Sequence, residues 1–191
     1  MPDVLIASNN LLDVQQSVLL IVDMQTRLLA GMQPNAATML DNTVKLLKAV
    51  CLLKVPLLLS EQYPRGLGPT ADVIKMALPT NTSRFEKTAF SCCGNAAFNQ
   101  AMLATGRSQV IIAGMETHVC VLQTAIELQQ QGYQVYVVED AVCSRQDRHK
   151  ANALKRLQQA GVVSINHESV LFEWLRDATH TDFKTLSALV K

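Results

Sequence analysis

Five stretches of this chain are built almost wholly from Val, Ile and Leu with little polar alternation, and helical patterns separate them. The stretches are Ser17–Asp23, Pro56–Glu61, Gln109–Met115, Gln134–Glu139 and Val162–Ile165. Near-continuous apolar runs of this length are expected of strands buried on both faces, which is the habit of parallel sheets. A sixth, shorter strand is expected near Ser83–Glu86. Between them, Leu40, Val44, Leu47 and Cys51 share one helical face, which places Cys51 in the core. Further helices are expected over Asn95–Ala104, Val119–Gln131 and Asp147–Ala160, followed by stops at Gly106, Gly132 and Gly161. Repeated β-α alternation predicts an α/β fold with right-handed crossovers. It is a three-layer αβα sandwich around a central, mostly parallel, six-stranded Rossmann-like sheet.

At 191 residues, with no linker, repeat or low-complexity stretch, the chain reads as one domain over 1–191. Hydrophobic residues make up 49% and charged residues 17%, which excludes a disordered chain. A net charge of +1 gives no electrostatic reason to expect nucleic acid or an anionic membrane as partner. The apolar run Ser17–Val22 is too short to span a bilayer. Five cysteines without a secretory pattern indicate reduced thiols and a cytoplasmic setting, or the mitochondrial matrix if the source is eukaryotic.

Three residues carry the expected chemistry. Cys120 stands where a helical pattern begins, after the strand Gln109–Met115 and the turn Gly114-Met115-Glu116-Thr117. A thiol near the positive end of a helix is favoured as thiolate. Asp23 closes the first strand and points toward the same crevice, where open α/β sheets hold their ligands. It suits a general base, although an aspartate there also commonly caps a helix. Lys87, between Phe85 and Phe90, would alone be read as a solvated surface lysine. Beside a cysteine and an aspartate it has two tasks, lowering the thiol pKa and holding the carboxylate in place.

The remaining candidates are weaker. His118, His149, His167 and His180 have no metal-ligand spacing, and no metal or other cofactor is expected. His118 is two residues from Cys120, but their side chains should diverge across a strand-to-helix turn; His149 and His180 read as surface residues. Cys92-Cys93 is neither a metal motif nor a relaxed disulfide, and Cys143 reads as core or loop packing. No phosphate-binding glycine loop is present. The turn-rich loop Gln62–Pro69 is a candidate wall for the site. Arg65 or Arg145 could bind a substrate carboxylate, though arginines are more often plain surface residues.

The trio resembles the isochorismatase-like, or cysteine hydrolase, superfamily. The resemblance rests on Asp23 after the first strand, Lys87 before the middle helix, and Gly114-x-x-Thr117-x-x-Cys120-Val121 after the fourth. The stretches Ser60–Thr70, Lys87–Ser91 and Glu168–Phe172 are closest to the isochorismatase domain-containing protein subgroup. The resemblance implies that Cys120 attacks the carbonyl of a small amide-like substrate, that Asp23 takes the thiol proton, and that Lys87 supports both. It also implies an oxyanion hole from the backbone N–H groups of Glu116 and Cys120, each such donor typically contributing about 10²–10³ in rate. A cis peptide at Met115–Glu116 is a further expectation. Gln25, Gln62, Tyr63, Phe90 and Thr117 are the candidate substrate contacts. Nicotinamidases of the superfamily carry a histidine-based metal site, which Glu61-Gln62-Tyr63-Pro64 does not reproduce. Two other readings are an isochorismatase-type ether hydrolase, which does not need the cysteine, and a catalytically silent scaffold. A nuclease is disfavoured by the balanced charge. The apolar stretch around Leu171, Phe172, Trp174 and Leu175 needs a cover, which predicts a homo-oligomer, dimer or tetramer.

Overall fold

In the computed structural model, which describes residues 10–32 and 36–191, the predicted strands assemble into one sheet in the order β3-β2-β1-β4-β5-β6. These are β1 (Ser17–Val22), β2 (Leu57–Gln62), β3 (Ser83–Lys87), β4 (Gln109–Met115), β5 (Gln134–Cys143) and β6 (Val163–Ile165). Every pairing is parallel, so the sheet goes beyond the mostly parallel expectation. The helices are α1 (Thr26–Ala30), α2 (Ala36–Leu53), α3 (Pro64–Leu67), α4 (Asp72–Ala77), α5 (Ala96–Ala104), α6 (Leu122–Gln130), α7 (Asp147–Gln159), α8 (His167–Leu175) and α9 (Phe183–Ser187). The opening residues, on which the expectation about a targeting leader rests, lie outside the described residues. Among the described residues no helix is long and apolar enough to cross a membrane.

The strands are apolar throughout because both faces are covered. Leu19, Ile21, Ile111 and Ala113 pack beneath α2 and α8, while Val18, Leu20, Val110 and Ile112 pack against α5, α6 and α7. Side chains alternate across a strand, so a continuous Val/Ile/Leu run feeds two cores at once. The chain builds outward from β1 through β2 to β3, then returns to β4 and builds the other way. The carboxyl ends of β1 and β4 therefore flank the point where strand order reverses, the usual ligand crevice of such sheets.

Three expectations are corrected. Cys51 is exposed, not core. The buried stripe of α2 runs through Met39, Thr43, Leu46, Leu47 and Val50, which turns Cys51 outward. The stretch Leu171–Leu175 needs no second chain. Leu171, Trp174 and Leu175 are buried by the chain's own core, and Trp174 Nε1 donates to Ser17 Oγ at 2.9 Å; of the four apolar residues only Phe172 is exposed. Finally, β5 does not stop at Glu139. The ladder shifts register between Ile112 and Gly114, and β5 resumes with Val142 and Cys143 paired to Gly114 and Met115. Asp140, within the irregular stretch, accepts from the His167 backbone N–H at 2.9 Å and so fixes the start of α8. The extension carries Ser144 and Arg145 to the carboxyl end of β4.

Candidate active site

Asp23, Lys87 and Cys120 meet at the reversal point of the sheet. Asp23 follows β1 directly, with a left-handed backbone (φ 51°). Its Oδ1 accepts from Ser60 Oγ at 2.7 Å and its Oδ2 from Lys87 Nζ at 2.7 Å. Both side chains are buried. Lys87 ends β3 and turns inward, also donating to Gln62 Oε1 at 2.6 Å and to the Phe90 carbonyl at 2.8 Å. Burial disfavours its ammonium, but Asp23, with the nearby thiols, outweighs that and raises the Lys87 pKa. Lys87 is thus held as an ammonium against Asp23. A buried pair of this kind depends on having all its hydrogen-bonding capacity met. Ser60 and Gln62 supply that, from the polar end Ser60-Glu61-Gln62 that follows the three leucines of β2.

Cys120 reaches the pair from the other side. β4 runs into a turn of π-helix, Thr117–Val121, before α6 begins. Such wide turns are rare and recur at functional sites. The peptide between Met115 and Glu116 is cis, as the resemblance implies. Gly114 makes the turn possible. At φ 134° its α-carbon lies so close to β1 that an added Cβ would stand 2.1 Å from the Val22 carbonyl oxygen.

The thiol is not poised as a thiolate. Burial pushes the Cys120 pKa up, and the Asp23 charge and a hydrogen bond with Asp23 push it further; Lys87 opposes them without prevailing. The helix-terminus argument fails here because the sulfur is desolvated and shares its site with a carboxylate. The resting thiol is protonated, with a proton acceptor already in contact. A second buried thiol, Cys92, is also held up, at about 11, by burial first and then by Asp23.

Above Cys120 lies a cavity of about 270 Å³. Its apolar walls are Leu28, Leu67, Phe90 and Val119, and its polar ones Gln62, Glu116 and Arg145. Of the candidate substrate contacts, Gln62 and Phe90 line it. Gln25 and Thr117 are fully buried off its wall. The Gln25 amide is spent on the backbone, donating to the Gln62 and Gly68 carbonyls at 2.9 and 2.7 Å and accepting from Gln62 N at 2.7 Å. It ties the loop after β2 in place instead of facing a ligand. Tyr63 and Arg65 line a separate depression on the far side of Lys87.

An ion pair at the cavity escaped the sequence reading. Glu116 accepts from Arg145 Nη2 at 2.6 Å, from Arg145 Nε at 3.0 Å and from the Arg145 backbone N–H at 3.2 Å. Burial opposes ionisation of Glu116, but the Arg145 hydrogen bonds and charge overcome it and hold the carboxyl below its usual range. The two residues are 29 positions apart and meet because β4 and β5 end side by side. His118 turns away to Ser144 Oγ, 3.0 Å from its Nδ1, and packs on His149 with ring centroids 4.6 Å apart.

This fold is that of a family of hydrolases. The chain matches the isochorismatase domain model over residues 17–169 and belongs to the isochorismatase family. It is 35% identical over 183 residues to isochorismatase domain-containing protein 2 of Danio rerio, covering 94% of this chain and 89% of that one. Among solved structures it resembles the MAR1 ribonuclease of Caenorhabditis elegans, with a TM-score of 0.88, 32% identity and coverage of 94% and 91%. It also resembles the Escherichia coli YcaC protein, described as an octameric hydrolase of unknown specificity, with a TM-score of 0.86, 28% identity and coverage of 94% and 88%.

Proposed function

We propose that this protein hydrolyses a small amide-like carbonyl compound through a thioester on Cys120. The observation that carries the reading is the convergence of the Cys120 thiol, which opens to a small cavity, with the buried Asp23–Lys87 pair beneath it. Asp23 takes the thiol proton as sulfur attacks the carbonyl carbon. The backbone N–H groups of Glu116 and Cys120 face the developing oxyanion. Asp23 then returns the proton to the leaving nitrogen, and water hydrolyses the thioester. Lys87 holds Asp23 in place and opposes the cost of forming a thiolate beside a carboxylate. No metal or other cofactor takes part in this scheme.

A panel of small amides, followed by product detection and by mass spectrometry of the acylated Cys120 peptide, tests it. Cys120→Ala should abolish both turnover and adduct. Retention of most turnover by Cys120→Ala would favour ether hydrolysis with Asp23 as acid. The scaffold reading anticipates a trio sealed from any pocket, and the cavity over Cys120 weighs against it. The ribonuclease name belongs to the nematode relative. For this chain, Arg145 at the cavity wall and Lys87 beneath it are both engaged by carboxylates, which supports a small-molecule ligand over a phosphate backbone.

Self-association is proposed from the likeness to the octameric relative. The available surface is an apolar groove of α2, α4 and the C-terminal segment, where Leu52, Val73 and Met76 are exposed, and its occupant would be a second copy of the chain. A monomer by sedimentation at micromolar concentration would refute it. All five cysteines are free, in keeping with the proposed reducing, cytoplasm-like compartment.

A further inference from the structure

The charges around the cavity are matched within the protein. Among the described residues, Glu116 is the only acid on the wall and Arg145 the only base, and each is engaged by the other. The Arg145 fork meets both Glu116 oxygens, the geometry that makes arginine–carboxylate pairs strong and directional. Arg145 sits at the rim with its side chain 59% exposed, whereas the Glu116 side chain is 6% exposed, so the acid is sealed under the base. Beneath them Lys87 and Asp23 form a second closed pair. The other walls are mainly Leu28, Leu67, Phe90 and Val119. A charged group entering such a space loses its water and finds no unpaired counter-charge, which is costly.

We infer that the Glu116–Arg145 pair makes this cavity selective for uncharged molecules, and that its substrate is a small neutral carboxamide with a compact apolar acyl group. The chemistry of this assignment rests on the amide-hydrolase reading; the charge selectivity rests on the ion pairs alone. Size follows from the volume, about 270 Å³, which falls short of the roughly 300–1,000 Å³ of pockets that take drug-sized ligands. The balance is simple. The amide C–N bond breaks and a C–S bond to Cys120 forms, the thiol proton leaving with the amine by way of Asp23. Water then supplies hydroxide to the acyl carbon and a proton to the sulfur as the C–S bond breaks. The product acid ionises at neutral pH, and the same closed charges that exclude an anion favour its departure.

Two alkylating probes of nearly equal size separate charge from shape. Cys120 of a Cys51→Ser protein is reacted with iodoacetamide and with iodoacetate, and the labelled peptide is followed by mass spectrometry. The rate ratio is referred to that of free cysteine. We expect a preference for iodoacetamide at least tenfold above the free-cysteine ratio. Glu116→Gln keeps the backbone N–H and frees Arg145, so the preference should fall by at least tenfold. Arg145→Met leaves the buried Glu116 carboxylate unopposed, so the preference should grow. A shared folding defect cannot move the ratio in opposite directions. In parallel, valeramide should be hydrolysed with a kcat/KM at least tenfold above that of succinamate, and Glu116→Gln should narrow the gap. A ratio equal to that of free cysteine and unmoved by Glu116→Gln overturns the inference while leaving the hydrolase reading intact. Strong charge selectivity in alkylation with no amide hydrolysed overturns the carboxamide assignment together with that reading.

Discussion

Replacing Asp23 by Asn should make Cys120 more reactive while abolishing turnover. Asn keeps the shape of Asp23 and can still accept from Ser60 Oγ, 2.7 Å away in the native protein. It removes the negative charge that, after burial itself, does most to hold the Cys120 thiol protonated, and it leaves the Lys87 ammonium in place. A charge within a few ångströms typically moves a titration by about one to three powers of ten. The thiolate population below the thiol pKa should therefore rise at least tenfold, and alkylation by iodoacetamide at pH 7.5 should follow it. Lys87→Met should do the reverse, because Lys87 is the group that lowers the Cys120 pKa. Both changes strand one member of a buried pair, which typically costs about 3–5 kcal/mol. That is a large part of the roughly 5–15 kcal/mol that stabilises a domain, so circular dichroism must first show both variants folded at the assay temperature. The assay is the pseudo-first-order rate of Cys120 modification, read by peptide mass in a Cys51→Ser background, beside amide turnover. Slower alkylation in Asp23→Asn, or faster in Lys87→Met, would refute the argument. Asp23 would then govern the thiol as a proton acceptor and not as a repelling charge.

Gly114→Ala should be severely destabilising. A positive φ for a non-glycine residue costs about 1–3 kcal/mol, and overpacking against the Val22 backbone, 2.1 Å from the new Cβ, adds about 1–3 more; urea unfolding showing under 1 kcal/mol of loss would contradict this. Glu116 has a depressed pKa in the folded state, so its pairing with Arg145 stabilises the fold above the unfolded value of about 4.3 and fades as pH falls through the lower folded value. The melting temperatures of the native protein and Glu116→Gln should accordingly differ near neutrality and converge at strongly acidic pH. Native labelling of the whole protein by iodoacetamide at pH 7 should modify exposed Cys51 before buried Cys92, Cys120 and Cys143, and a first label on Cys120 would contradict the protonated-thiol assignment.

What could be read from the sequence and what could not divide along a physical line. Buried strands announce themselves, because covering both faces demands unbroken Val, Ile and Leu, and β4 falls on its expected residues, Gln109–Met115. The trio was legible because each member is placed by a strand end: Asp23 after β1, Lys87 at the end of β3, Cys120 one turn beyond β4. Strand order then brings them together at the reversal point. Properties set by neighbours far along the chain were not legible. Cys51 was misplaced because a helix face is fixed by what packs on it, and a one-residue rotation of the stripe turns a core position outward. Arg145 looked like a surface arginine because its partner Glu116 lies 29 residues away, joined only through the continuation of β5 past its irregularity. The state of the Cys120 thiol is the sharpest case. Its local sequence offers a helix start, and the expected neighbour Lys87 offers a positive charge, both favouring thiolate. The fold adds burial and a carboxylate in contact, and these prevail. In the proposed mechanism, a resting thiol beside its own base stays unreactive toward amides until a substrate carbonyl draws the proton across. Such a site would gain reactivity from the ligand's arrival, so the cavity that decides which ligand arrives would belong to the catalytic apparatus.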